Sequence, residues 1–312
     1  MRIGTRGRLV ATATAGVLAC VALLSGGTAA AANTSVCNGK AAVKDRDVLR
    51  IGPGTGSSCA AEVILADALP SVPRAITPVE WDGDYNEPIQ SYDNNFLATF
   101  GSQLMNVHVQ TTHNIVTGEN GHSTSLTPLG LGGWQGIRRL VPAFPVKAGA
   151  PVMLYGVHDN GRLYRYTKTY NFTILNYQVR SAGSQAGFGS VKGLVSVGST
   201  ASTDYLLCNT TAGTLTLITV PRTTMLAAKT SPVRTRTWQG FDSLIYTGVG
   251  VNHSLVNELV GVNVTGQWTR YTMDSSTRGA ATRITHTDTL DGSAAGLKAV
   301  LSYPAGTFRD GS

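Results

Sequence analysis

The sequence predicts an all-β fold assembled from repeats, and three observations in its 312 residues predict it. A short motif, an aromatic and a small residue followed by apolar ones, returns at spacings of 54, 50 and 56 residues. A second motif, two apolar runs joined by a glycine-bearing turn, follows each of the first three openings. Charged residues make up only 14% of the chain while 36 Gly punctuate it, the balance expected of short strands and turns.

Taken in order, the chain begins with Arg2, Arg6 and Arg8, an apolar run from Leu9 to Leu24, and small residues from Gly26 to Ala32. That pattern predicts a secretory signal peptide over residues 1–32, cleaved near Ala30 to Ala32. The apolar run is short for a bilayer span and no later run approaches the roughly 20 residues a spanning helix needs, so the expected product is secreted, without membrane insertion. Cys20, after Val17, Leu18 and Ala19, is a weak likeness of a lipoprotein box, and the apolar residues beyond it argue against lipidation. In an oxidising compartment Cys37 and Cys59 would close a loop of 22 residues, a disulfide stabilising by roughly 3 kcal/mol in the chain-entropy account. Ser58 to Leu69 is Ala-rich and ends at Pro70, which predicts a short helix. Residues 33–84 are thus expected as an N-terminal segment, either capping the repeats or lending strands to them.

From residue 85 onward the repeats dominate, clearly from residues 134, 188 and 238 and partially from 294. The openings read Trp134-Gln135-Gly136-Ile137, Phe188-Gly189-Ser190-Val191 and Trp238-Gln239-Gly240-Phe241, with Ala294-Ala295-Gly296-Leu297 a fainter fourth. The second motif begins at Leu154, Leu206 and Leu259 and aligns without a gap over thirteen positions. It places a small residue third (Gly156, Cys208, Gly261) and a glycine seven on from its start (Gly161, Gly213, Gly266). Asp159-Asn160-Gly161 is a strong tight-turn sequence, so this motif predicts a β-hairpin. Phe96 to His108 alternates like another hairpin about Gly101. A unit of about 52 residues is the length of one propeller blade, and a lone blade cannot bury both faces, so neighbours must stack. The prediction is a β-propeller of about five four-stranded blades, four being the other count the length allows. The truncated unit at the C-terminus predicts closure by N- and C-terminal strands together. Trp134, Phe188 and Trp238 are expected to fill the packing between blades.

Charge is lopsided: residues 33–133 carry 5 basic and 10 acidic groups, residues 134–312 carry 17 and 8. There is no basic cluster with interleaved aromatics, so nucleic acid is not an expected partner. The sequence has no Gly-x-Ser-x-Gly elbow, no phosphate loop and no His-Glu-x-x-His helix, and its six His lack ligand spacing, so neither cofactor nor metal is expected. Asp82-Gly83-Asp84-Tyr85-Asn86-Glu87 alternates oxygen donors but lacks the sixth-position glycine of a calcium loop. Cys208, inside the apolar run from Tyr205, is expected as a buried, inert thiol.

The stretch Gly156-Val157-His158-Asp159-Asn160-Gly161-Arg162-Leu163-Tyr164-Arg165-Tyr166, and its counterpart from Gly261 to Tyr271, resemble the tachylectin-type propeller repeat of secreted sugar-binding proteins. The Trp-x-Gly-apolar opening is similar to that family's unit start. The resemblance implies a five-bladed ring with N-acetylated sugar sites between adjacent blades. The unit opening at Phe188 departs from it, with Leu215, Thr216 and Leu217 where the first clear unit has Leu163, Tyr164 and Arg165. The leading expectation is a monomeric, non-enzymatic lectin for glycan or cell-surface polysaccharide. Its candidate ligand residues are Trp134, Trp238, Trp268, Tyr164, Tyr166, Tyr271 and Asp242, aromatic faces for a sugar's apolar side and a carboxylate for its hydroxyls. Two alternatives are a glycoside hydrolase built on Asp82, Asp84 and Asp242 in the ring, and a protein-interaction scaffold.

Overall fold

A computed structural model describes residues 40–44, 47–53, 59–65, 69–84, 89–129, 132–143, 152–171, 176–222, 226–247, 257–274, 281–290, 299–300 and 308–309. The described chain is an all-β propeller of five sheets. The first blade holds β4 (Ile76–Asp84), β5 (Ile89–Phe100), β6 (Gln103–Asn114) and β7 (Asn120–Pro128). The second holds β8 (Ile137–Pro142), β9 (Val152–His158), β10 (Arg162–Asn171) and β11 (Asn176–Ala186). The third is β12 (Val191–Ser199), β13 (Thr203–Thr210), β14 (Leu215–Pro221) and β15 (Lys229–Arg234). The fourth is β16 (Phe241–Thr247), β17 (Asn257–Asn263), β18 (Trp268–Met273) and β19 (Ile284–Leu290). The fifth combines β1 (Lys40–Lys44), β2 (Asp47–Pro53) and β3 (Cys59–Leu65) with β20 (Ala299–Val300).

Closure by both termini follows from that last sheet. β20 pairs antiparallel with β1 through Ala42↔Val300 and Val43↔Ala299. β21 (Phe308–Arg309) then lies parallel to β4, giving the first blade a fifth strand. One C-terminal segment therefore ties the fifth blade and then the first, and covers sheet edges that would otherwise stand open.

The expected helix over Ser58–Leu69 is corrected: Cys59–Leu65 is β3, paired with β2 through Ile51↔Ala61 and Pro53↔Cys59. Its Ala residues favour a helix weakly, and a ladder partner supplied by β2 outweighs that preference, as tertiary pairing commonly does. Residues 1–32 and the Cys37–Cys59 pairing lie outside the described residues. The donor-rich Asp82-Gly83-Asp84 ends β4, with its backbone paired to Asp93, Tyr92 and Ser91 of β5, so it forms a strand end.

The repeat has a physical reading. Each opening makes a tight turn, with the amides of Ile137, Val191 and Phe241 donating to the carbonyls of Trp134, Phe188 and Trp238 at 3.0, 3.3 and 3.3 Å, and then enters the first strand of its blade. The hairpin glycines Gly161, Gly213 and Gly266 adopt φ of 76°, 85° and 84°, a region that only glycine enters without strain. The small third position of the hairpin motif answers the opening. A Cβ on Gly156 would crowd Ile137 at 3.2 Å, and one on Gly261 would meet the Phe241 ring at 2.5 Å. The third blade has the smaller Val191 where the second and fourth have Ile137 and Phe241, and it has room for Cys208, and both belong to one core cluster.

Candidate functional site

The seams between blades are where the sequence places its candidates, and the backbone joins the seams first. The amide of each opening aromatic donates to the preceding blade's hairpin: Trp134 to Ser102 at 3.3 Å, Phe188 to Gly161 at 2.8 Å, Trp238 to Gly213 at 3.1 Å. The ring of the aromatic is carried into the seam by that bond. Trp134 (6% exposed) lies with Leu97 and Leu104 of the first blade and Leu140 and Leu154 of the second. Trp238 (4% exposed) lies with Leu207, Leu215 and Leu217 of the third and Leu244 and Leu259 of the fourth. Trp268 on β18 is fully enclosed. The tyrosines pack tilted against the opening indoles from within the same blade, Tyr166 on Trp134 at 4.5 Å between centroids and 31° between planes, and Tyr271 on Trp238 at 4.7 Å and 37°. Tyr164 stacks on Tyr166 at 6.2 Å, and its hydroxyl accepts from Asn160 Nδ2 at 3.0 Å. Burial pushes the Tyr166 and Tyr271 phenols above their ordinary range. Five of the seven candidates are therefore brought together as two separate aromatic groups, Trp134 with Tyr166 and Tyr164 and Trp238 with Tyr271, while Trp268 and Asp242 lie apart from both, and the indoles are turned inward to core filling.

Asp242 is bound into a chain of cations along the first strands of successive blades. Its Oδ1 meets Lys192 Nζ at 2.6 Å, and Lys192 also donates to the Gln239 carbonyl at 2.7 Å. Sequence reasoning missed the anchor of this chain, Arg139. From β8 it crosses to the Lys192 carbonyl of the third blade at 2.6 Å and the Asp242 carbonyl of the fourth at 3.0 Å. Burial holds its guanidinium below the ordinary value, and Asp242 acts in the opposite sense. Arg138 Nη2 reaches the Gly189 carbonyl at 2.7 Å. Positively charged ends here hold carbonyls of neighbouring blades, so the side chains lock the ring's inner wall.

The second and third blades share a buried polar tie that the sequence pattern did not reveal. Asp204 on β13 is fully buried, accepting from the Tyr155 hydroxyl of β9 at 2.7 Å, from Ser199 Oγ at 2.6 Å and from Arg222 at 2.7 and 2.8 Å. Burial and the Asp204 carboxylate together push the Tyr155 phenol well above its ordinary range. Arg165 and Arg270, which occupy the same position of the aligned hairpin motif, are both buried. The first reaches the Pro221 carbonyl of the third blade at 2.6 Å, the second Glu258 at 2.5 Å within its own blade. Their shared position was the signal available in the sequence. Cys208 is buried and free, its thiol pushed up to about 12 by desolvation, in keeping with an inert core residue. Among the described residues no three His, Cys, Asp or Glu side chains gather as a metal site.

Exposed chemistry is found on the first blade. The β6–β7 turn lifts Ile115 (40% exposed) and Val116 (78%) into solvent. Its conformation is held throughout: Asn114 Oδ1 accepts from the amides of Val116 at 2.9 Å and Thr117 at 3.1 Å, the Asn114 carbonyl accepts from Gly118 at 2.7 Å, and Thr117 Oγ1 accepts from the Glu119 amide at 3.3 Å. Gly118 turns the chain at φ 73°. The signal in sequence was two adjacent apolar residues within Asn-Ile-Val-Thr-Gly-Glu, a turn that has no core-facing need of them.

No family model and no curated protein matches this chain. The solved structure of Chaetomium thermophilum Sqt1 bound to the N-terminus of the ribosomal protein L10 is similar to it at 11% identity and a TM-score of 0.32, over 63% of this chain and 44% of that one. The aligned part is thus less than half of that structure's chain. The glycan or polysaccharide partner expected from the sequence is corrected at this point. In this chain the three indoles meant as sugar platforms, Trp134, Trp238 and Trp268, are buried, so they offer no face to a sugar ring.

Proposed function

We propose that this chain is an exported, non-enzymatic propeller that binds another protein, and that it does so through the β6–β7 turn. One observation carries the reading: a turn whose amides from Val116 to Glu119 are all bonded within it presents two bare apolar side chains. Preorganisation of that kind spares a partner the entropy of ordering the loop. A partner offering an apolar recess about two side chains wide fits it, with Glu119 at the rim for one charged contact. Absence of enzymatic activity is supported by the inner wall, where Arg138, Arg139, Lys192 and Asp242 spend their charges on one another and on backbone carbonyls. Export rests on the pattern of residues 1–32, and kinship with tachylectin-type repeats is retained as an account of blade construction alone.

Selection of binders from a displayed library of protein segments, followed by titration against the Ile115→Ser, Val116→Ser double variant, tests the proposal. The expected result is binders that lose at least about tenfold in affinity while the variant melts with the parent, since truncating exposed apolar anchors removes contact without disturbing a core. Binders indifferent to the double variant would overturn it.

A further inference from the structure

The outer strand of the first blade, β7, is bonded to β6 on one side and ends its sheet on the other. Backbone bonds beyond both of its ends determine which residues face out. Asn114 donates to the Glu119 carbonyl at 2.9 Å, and Leu129 donates to the Leu104 carbonyl at 2.9 Å. Between them the register runs unbroken from His113↔Asn120 to Met105↔Pro128. Bonded pairs alternate in an antiparallel ladder, so residues 121, 123, 125 and 127 face β6. Asn120, His122, Thr124 and Leu126 turn their N–H and C=O groups to the open side. That is a template for a further strand.

Charge decides which strand fits. In a symmetric pair of identical strands every charge is present twice on one short ladder, facing its own copy where it lies on the axis and lying near it elsewhere, and like charges so placed destabilise. Every other described outer strand carries such a charge: Glu62 in β3, Arg180 in β11, Lys229 and Arg234 in β15, Asp288 in β19. β15 also has Pro232 in mid-strand, which removes a donor. β7, Asn-Gly-His-Ser-Thr-Ser-Leu-Thr-Pro, has no acid, lysine or arginine, and its Ser123 and Ser125 are exposed.

We infer that the open edge of β7 pairs antiparallel with β7 of a second copy about a two-fold axis at Ser123. Asn120 then lies opposite Leu126 of the second copy and His122 opposite Thr124, which uses all four outward residues. The pairing is isologous and consumes the edge in both copies, so it closes at a dimer in place of the monomer expected from the sequence. A single strand pair buries less than the roughly 1,200 Å² of a stable interface, so the dimer is weak, with a Kd in the range of about 10–100 μM.

Sedimentation equilibrium of the mature chain between roughly 5 and 500 μM tests the inference. The parent should pass from monomer to dimer, with slower hydrogen exchange at the His122, Thr124 and Leu126 amides as dimer forms. Ser123→Lys, which sets two ammonium groups face to face at the axis, should raise Kd at least about tenfold. Thr124→Pro removes an outward donor that β6 does not use, and should do the same without lowering the melting temperature. The Ile115→Ser, Val116→Ser variant should dimerise as the parent does, which separates this inference from the turn-binding reading. A chain that stays monomeric to the top of the range, or a dimer indifferent to both edge variants, would overturn it.

Discussion

Two seams of the same ring are held by different physics. Between the third and fourth blades, Trp238 packs against Tyr271 and sinks among leucines from both sides, and the Tyr271 hydroxyl makes no hydrogen bond among the described residues. Between the second and third, the opening aromatic is Phe188 and the residue matching Tyr271 is Ile218, so there is no indole–phenol pair. The Tyr155–Asp204–Arg222 cluster lies at that seam. Where a repeat surrenders aromatic surface, a buried hydrogen-bonded carboxylate joins the blades instead. Apolar contact tolerates small errors of placement, whereas a buried carboxylate depends on every donor around it.

The largest effects come from breaking each seam at its own device. Trp238→Ala should cost about 4 kcal/mol by cavity formation, and Asp204→Ala about 3 kcal/mol by stranding the Tyr155 and Arg222 donors, both read from urea unfolding midpoints. Next in size is a contrast of two phenols. Tyr155→Phe should lose about 1–2 kcal/mol and Tyr271→Phe under about 0.5 kcal/mol, because among the described residues only the first of these two hydroxyls has a buried partner. The sign with pH follows from the raised Tyr155 phenol. Its contribution is fully present below the unfolded tyrosine value near 10 and is lost as pH rises beyond it, so Tyr155→Phe should flatten the alkaline fall in stability.

A transplant sharpens the comparison further. Phe188→Trp and Ile218→Tyr should each cost about 1–3 kcal/mol by overpacking. The double variant should recover about 1 kcal/mol against their sum, the worth of an aromatic pair, in a double-mutant cycle. Smallest is the relief of strain beside the third–fourth seam. Thr237, at φ 79°, is a β-branched residue in the left-handed region, and Thr237→Gly should raise stability by about 1 kcal/mol in thermal melts.

Much of the blade was legible because its determinants are local. Gly161, Gly213 and Gly266 mark hairpins because a left-handed turn leaves no alternative, and the pairing of a bulky Ile137 or Phe241 with Gly156 or Gly261 is written within one repeat. The helix expected over Ser58–Leu69 was the cost of local reading where a distant strand decides. The site was less legible. Trp134, Trp238 and Trp268 have the composition of a ligand platform and the position of core, and only the neighbouring blade distinguishes the two. Arg139 gave no signal because its partners are carbonyls 53 and 103 residues away.

By itself the sequence determined the repeat, its length and its turns, since each depends on backbone conformation or on side chains close in the chain, and the truncated last unit pointed to its completion by N-terminal strands because a partial blade leaves an edge unpaired. Tertiary structure alone decided which aromatics are enclosed, which charges are spent between blades, and which edge and turn remain open. Those outcomes depend on what a neighbouring blade brings to a seam, and burial is a property of the pair rather than of either strand.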